Sequence, residues 1–229
     1  MSSPLILFIE TSSTVCSVAL AENKKILSVR EVNNGYTHSE LLHVFCKELM
    51  QETGKEFSNL NAIGISTGPG SYTGLRIGMS AAKGFCFALG IPLIGISTLE
   101  NLTVAAMRKI GNSSINYFIP LIDARRMEVY QGIFDVNLQL QQCPSPLVVT
   151  ADSVKLFEHY TPAVFFGSGV QKCKPLLSCF ENSIFIEDIL SSSQNMIEIG
   201  FNKFNSCDFL DVAYCEPDYL KEFFDTRKS

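Results

Sequence analysis

The stretch Gly64–Gly78, GISTGPGSYTGLRIG, decides how the chain folds. It runs from an apolar strand through a glycine turn into a helix, the join on which layered α/β structures are built. The strand reads from Ala62 to Ser66, and the helix from about Ser71 to Leu89, where Gly90 stops it. Downstream, Leu93–Ile96 is a further strand, and Ser97 with Glu100 forms a capping box for a helix reaching about Lys109. Upstream, Leu5–Glu10, Val15–Ala21 and Ile26–Val32 read as three strands joined by short polar turns. Thr37 and Glu40 give a second capping box, before a helix with Leu41, Leu42, Phe45 and Leu49 on one face. The order is β-β-β-α-β-α-β-α.

The second half repeats that order. Strands are expected at Tyr117–Asp123, Glu128–Val136 and Pro146–Val149, a helix at about Asp152–Tyr160, and a strand at Val164–Phe166. After a weak segment come a strand at Ser183–Glu187 and a helix from about Gln194 to Phe204. Ile9-Glu10 corresponds to Ile122-Asp123, and Gly68-Pro69-Gly70 to Gly167-Ser168-Gly169, so each half ends its first strand on an acid and its fourth on Gly-x-Gly. The expected fold is α/β, a tandem pair of βββαβαβα lobes divided as residues 1–110 and 111–229.

Composition narrows the function. Of 229 residues 46% are hydrophobic and 18% charged, which excludes a disordered chain. The net charge is −5. Nine basic and eight acidic residues precede Ile110, and the remaining nine and fifteen follow, so the acidity lies in the second half. Such a chain makes a poor stand-alone nucleic-acid binder, because phosphate neutralisation needs clustered Lys and Arg. Met1–Glu10 has no basic lead-in to its apolar run, and Gly84–Leu99 is too short and too broken by Gly90, Pro92 and Gly95 to cross a bilayer. Eight cysteines without a CxxC read as free thiols in a reducing cytosol. A cytoplasmic protein with no membrane partner is expected.

Several motifs point to chemistry. Gly68 and Gly70 before a helix N-terminus allow a phosphate site, although no Lys-Ser/Thr closes a Walker A loop and the G-x-G-x-x-x-G spacing is wrong for a dinucleotide fingerprint. A tight turn with close helix packing explains the same glycines. Gly64–Gly68 also reads G-x-S-x-G, with Ser66 as a hydrolase nucleophile, yet His159 is the only downstream histidine and Pro69-Gly70 delays the helix. His38 and His43 are five apart, about 140° around a helix, so they do not share a metal. Glu10, with Thr11 beside it, and Asp123 would face one cleft between lobes, where two carboxylates hold a magnesium-bound nucleotide. Against that, the turn Ala124-Arg125-Arg126 has no glycine, and its arginines are expected to pair with Asp123 and close a hairpin.

The helix Ser71–Leu89 is apolar on several faces. Gly74, Gly78 and Ala82 form a small-residue stripe, and Arg76 with Lys83 is its one charged stripe. One face belongs on its own sheet; another is covered either by the second lobe or by a partner chain, together with the helix Thr37–Met50.

The segments ILFIETSSTVCSVAL, HSELL, GPGSYTGLRIG and IDARRMEVY, with a weaker echo in EPDYLKEF from Glu216, resemble the TsaB (YeaZ) family of bacterial tRNA threonylcarbamoyladenosine synthesis. The resemblance implies an actin-like ATPase fold of two ribonuclease-H-like lobes and a degenerate paralogue of the transferase TsaD. It implies a non-catalytic scaffold that pairs with a TsaD-like subunit, with His38, Leu42, Cys46, Gly74, Arg76, Gly78, Ala82 and Lys83 at the interface. A TsaE-like ATPase joins the assembly. ATP and metal then sit on the partners, tRNA is met through the complex, and the exposed helix pair allows a homodimer when the chain is alone. Family members commonly carry Asp where Glu10 stands, and the longer side chain crowds any phosphate site. The competing readings are an ATPase or kinase using the Glu10/Asp123 cleft, with Glu10, Thr11, Gly68, Gly70 and Asp123 as its binding residues, and a glycoprotease-type peptidase using Ser66.

Overall fold

The computed structural model describes residues 3–35, 37–111, 114–180 and 182–221. Met1 and Ser2 of the N-terminal run, and Glu222 and Phe223 of the tail motif, lie outside the described residues. The first half forms β1 (Leu5–Glu10), β2 (Val15–Glu22), β3 (Lys25–Asn33), α1 (His38–Thr53), β4 (Ala62–Gly68), α2 (Tyr72–Leu89), β5 (Leu93–Ser97) and α3 (Thr98–Ile110). The second forms β6 (Tyr117–Asp123), β7 (Glu128–Asp135), β8 (Leu140–Val148), β9 (Ala163–Phe166), α4 (Val170–Leu177), β10 (Ile184–Ile186) and α5 (Ile197–Asn205).

The two sheets have the same order, β3-β2-β1-β4-β5 and β8-β7-β6-β9-β10. In each, the first three strands are antiparallel and the last two parallel to the first. This is the tandem α/β arrangement that the element order predicts, and it agrees with the two ribonuclease-H-like lobes that the family resemblance implies. The repeat reaches single residues: Gly68 and Gly167, at matching strand ends, both take positive φ, 121° and 100°.

Local differences have local causes. Ser97 and Glu100 form their capping box. Thr37 does not: it sits at φ −94°, ψ 14°, away from the extended conformation a capping hydroxyl needs. The helix expected at Asp152–Tyr160 is a 3-10 segment, Ser153–Phe157, and the weak segment is α4, whose pattern is obscured by Pro175 within it. β8 begins at Leu140, ahead of the expected Pro146, as an edge strand that tolerates Pro144 and Pro146. All eight cysteines are free, and burial pushes the Cys46 and Cys86 thiols up to about 12. No described helix is long and apolar enough to cross a membrane.

The division at Ile110 separates the sheets but not the packing. α3 follows the first sheet, yet Leu99, Leu102 and Ala106 pack with Phe118, Phe134, Val164 and Phe166 of the second. α5 follows the second sheet, yet Ile197 and Phe201 pack with Ile6, Phe8, Ile94 and Ile96 of the first. The halves therefore exchange their last helices. Phe8 lies against Phe201 with ring centroids 6.2 Å apart, and the glycines at 64 and 200 leave its ring room: a Cβ at either would stand within 2.4 Å of it. Residues 207–221 also return to the first sheet, with Leu210 bridging Leu93 and the Asp218 amide donating to the Thr67 carbonyl (2.8 Å). Phe201→Ala, although in the second half, is expected to lower stability by about 3–5 kcal/mol, and its combination with Phe8→Ala to cost less than the two single changes added together. Urea unfolding of the three variants measures both; strict additivity would mean the exchanged helix is not coupled to the first sheet.

Candidate functional site

Glu10 ends β1 with no exposed surface. Its carboxylate accepts the Ser12 amide (2.6 Å), an Asn101 Nδ2–H from α3 (2.6 Å) and the Ser66 hydroxyl from β4. Burial pushes the Glu10 carboxyl above its ordinary value of 4.5, against the pull of the bonds from Ser12, Ser66 and Asn101. Asn101 continues the network: its Oδ1 accepts the Ser192 amide (3.1 Å) and Asn195 Nδ2–H (3.2 Å), just before α5. Asn101, invisible as a site residue in the sequence, is thus the link between Glu10 and the exchanged helix.

The glycine turn is equally committed. The Ser71 amide donates to the Ser12 carbonyl (2.6 Å), and a Cβ on Gly70 would stand 2.3 Å from that same oxygen. Thr11 is buried, with its hydroxyl donating to the Gly74 carbonyl (2.8 Å). Gly68 is covered by the tail, whose Asp218 carbonyl lies 3.0 Å from where its Cβ would be. Gly68 and Gly70 therefore serve the turn and its packing, and Glu10, Thr11 and this loop do not fit a metal-bound phosphate. Ser66, the G-x-S-x-G serine, is fully buried and gives its hydroxyl to Glu10, with Met196 Sδ 3.9 Å away. His159 is exposed, and no histidine is among the partners of Ser66.

Asp123 lies in a different environment. It is exposed, and its Oδ1 accepts Lys172 Nζ (2.6 Å) and the Arg125 amide (2.7 Å). The structure does not present Glu10 and Asp123 together as an open pair: one is enclosed, the other neutralised by a lysine from α4. The ion pairs expected from Arg125 and Arg126 do not form, because Lys172 takes that place.

Of the residues expected at a partner interface, Leu42, Cys46, Gly74, Gly78 and Ala82 are buried against their own sheet. A Cβ on Gly74 would lie 2.1 Å from the Thr11 carbonyl, and one on Gly78 2.2 Å from Thr11 Oγ1, so these glycines let α2 approach β1. His38 is buried at the edge of the helix pair, its Nε2 2.9 Å from the Ser13 carbonyl. Arg76 and Lys83 hold the tail: Arg76 Nε donates to Tyr219 Oη (3.0 Å) and stacks on Tyr72, and Lys83 Nζ donates to the carbonyls of Ala213 and Cys215.

What α2 shows to the outside is a second small-residue stripe, Ser80, Gly84 and Ala88, all exposed. With Ile77, Ala81 and Phe85 of α2 and Ser39 and His43 of α1 it lines an open groove of about 750 Å³, and His43 lies 5.9 Å from the Phe85 ring. Both stripes run at i, i+4, i+8, so spacing alone does not tell which one faces outward.

Comparison with known proteins follows the same direction. A family model described as TsaD, tRNA N6-adenosine threonylcarbamoyltransferase, matches residues 34–144. The tRNA threonylcarbamoyladenosine biosynthesis protein TsaB of Bacillus subtilis (strain 168) is 30% identical over 220 residues, 94% of this chain and 93% of that protein. Its namesake from Escherichia coli (strain K12) is 28% identical over 232 residues, 94% of each. A solved Pseudomonas aeruginosa protein described as similar to peptidase YEAZ shares the fold, with a TM-score of 0.79 and 22% identity over 95% of this chain and 100% of that one.

Above pH 4.5 the folded chain holds a proton at Glu10 more readily than the unfolded chain, so this group's contribution to stability is full below that value and is lost as pH rises. Relative to Glu10→Gln, which does not titrate, the wild-type chain is expected to lose unfolding free energy steadily from about pH 4.5 towards neutrality. Urea unfolding across that range tests this; a difference constant with pH would contradict it.

Proposed function

The chain belongs to the TsaB family of tRNA threonylcarbamoyladenosine biosynthesis proteins, and from that premise we propose that it is an accessory subunit that performs no chemistry itself. In this reading it pairs with a TsaD-like transferase through the outer face of α1 and α2. ATP and metal are held by partner subunits, a TsaE-like ATPase among them, and the assembly works on tRNA in the cytoplasm. When the chain is alone the same face is available to a second copy. Of the polar groups that looked capable of chemistry, Glu10, Ser66 and Thr11 are engaged inside the fold and Asp123 is paired with Lys172 at the surface, which supports an accessory role.

The observation that carries the pairing is Gly84. A glycine inside a helix costs about 1 kcal/mol relative to alanine, and Gly74 and Gly78 have a reason in the backbone and side chain of Thr11 behind them. Gly84 has none: nothing lies within 4 Å of where its Cβ would be. It sits in the middle of the exposed Ser80–Gly84–Ala88 stripe, where a helix from another chain is able to approach closely.

Gly84→Ala is expected to stabilise the isolated chain by about 0.5–1 kcal/mol. Gly84→Leu is expected to melt like the wild type yet form no mixed complex with the TsaD-like protein of the same source, read by light scattering on a sizing column. Gly78→Leu, by contrast, is expected to disrupt the fold itself, because its side chain would enter Thr11. Normal complex formation by Gly84→Leu would remove this face from the interface.

A further inference from the structure

The segment Asp123-Ala124-Arg125-Arg126, within the family-like IDARRMEVY run, is absorbed by neither the buried network nor the α1–α2 face. Arg125 and Arg126 form the tip of the β6–β7 hairpin at φ 67° and 47°. Two consecutive non-glycine residues in this region cost roughly 1–2 kcal/mol each, and Asn-Gly would make the same turn at little cost. Turn geometry therefore does not explain the arginines, and neither does pairing. Both are exposed, and among the described residues neither guanidinium meets a carboxylate within ion-pair distance.

The tip is held in place from below. Asp123 Oδ1 accepts the Arg125 amide, Lys172 Nζ donates to both Asp123 Oδ1 and the Arg126 carbonyl (3.0 Å), and the Asp123 amide donates to Ser168 Oγ (3.0 Å). The nearby acids are already neutralised, Asp123 by Lys172 and Glu128 by Lys221. Two exposed guanidinium groups, without a carboxylate partner among the described residues, thus project from a turn whose backbone is held in place, in a chain whose net charge is −5. Guanidinium presents a donor fork that matches phosphate oxygens.

We propose that Arg125 and Arg126 contact the sugar–phosphate backbone of RNA. This rests on the reading of the chain as a subunit of a tRNA-modifying assembly, and it gives the chain a direct contact where the low basic content pointed to the partner alone.

The test uses dye-labelled unfractionated tRNA, titrated by fluorescence anisotropy over a salt series, with the chain alone and mixed with the TsaD-like protein. Arg125→Asn/Arg126→Gly keeps a turn-forming pair and is expected to melt at or above the wild-type temperature. Its tRNA affinity is expected to fall at least tenfold, and the slope of log affinity against log salt by roughly 1.4–1.8, the value of two phosphate contacts. Arg125→Gln/Arg126→Gln should give the same loss and serves if the first variant folds poorly. Unchanged affinity and slope, or no tRNA binding by wild type in either setting, overturns the proposal. So does loss of the protein complex instead of tRNA binding, which would make the tip a contact for an acidic protein surface. If the wild-type chain forms no complex, the accessory-subunit reading fails on that result, and the tRNA comparison is decided on the chain alone.

Discussion

A carboxylate removed from water, at Glu10, is the constraint around which the rest of this molecule is arranged. Burying such a group without partners costs several kcal/mol. The fold meets that demand with a backbone amide from Ser12, a hydroxyl from β4 and a side-chain amide from α3. Because Asn101 also holds Ser192 and Asn195, the same network fixes the segment that launches α5 across to the first sheet. α3 packs with the second sheet and α5 with the first, so the two repeated halves share their cores.

The repeat has also diverged in a way that bears on function. In both halves an acid ends the first strand and a positive-φ glycine ends the fourth. In the first half the acid is enclosed and the glycine turn bonds to the Ser12 carbonyl just after β1; in the second the acid is exposed and held by Lys172. At the end of β4 the returning residues 216–220 line, with Gly68, Pro69, Ser97 and Pro144, an open space of about 550 Å³. The groove along α1 and α2, about 750 Å³, is a second open surface.

Much of the fold was legible in local sequence. Strand runs such as Leu5–Glu10, the Ser97/Glu100 box and the Gly90 stop depend on neighbours within a few residues, and each stands where its pattern placed it. What was not legible depends on distant residues. The face that α2 buries is settled by Thr11, more than sixty positions earlier, so the stripe Gly74–Gly78–Ala82 looked as eligible for a partner as Ser80–Gly84–Ala88. The hairpin arginines seemed to be Asp123's partners because they adjoin it, whereas the true partner, Lys172, lies 49 residues away. Helix exchange leaves no local mark at all, since α3 and α5 are amphipathic whichever sheet they cover.

If the outward face of α1 and α2 is the working surface and the glycine turn is structural, amide hydrogen exchange on the chain alone and in mixture with the TsaD-like protein should separate the two. New protection is expected in residues 39–44 and 77–88, and none in residues 67–71 with or without ATP. Protection of the glycine turn by ATP, with α2 unchanged on mixing, would contradict this reading.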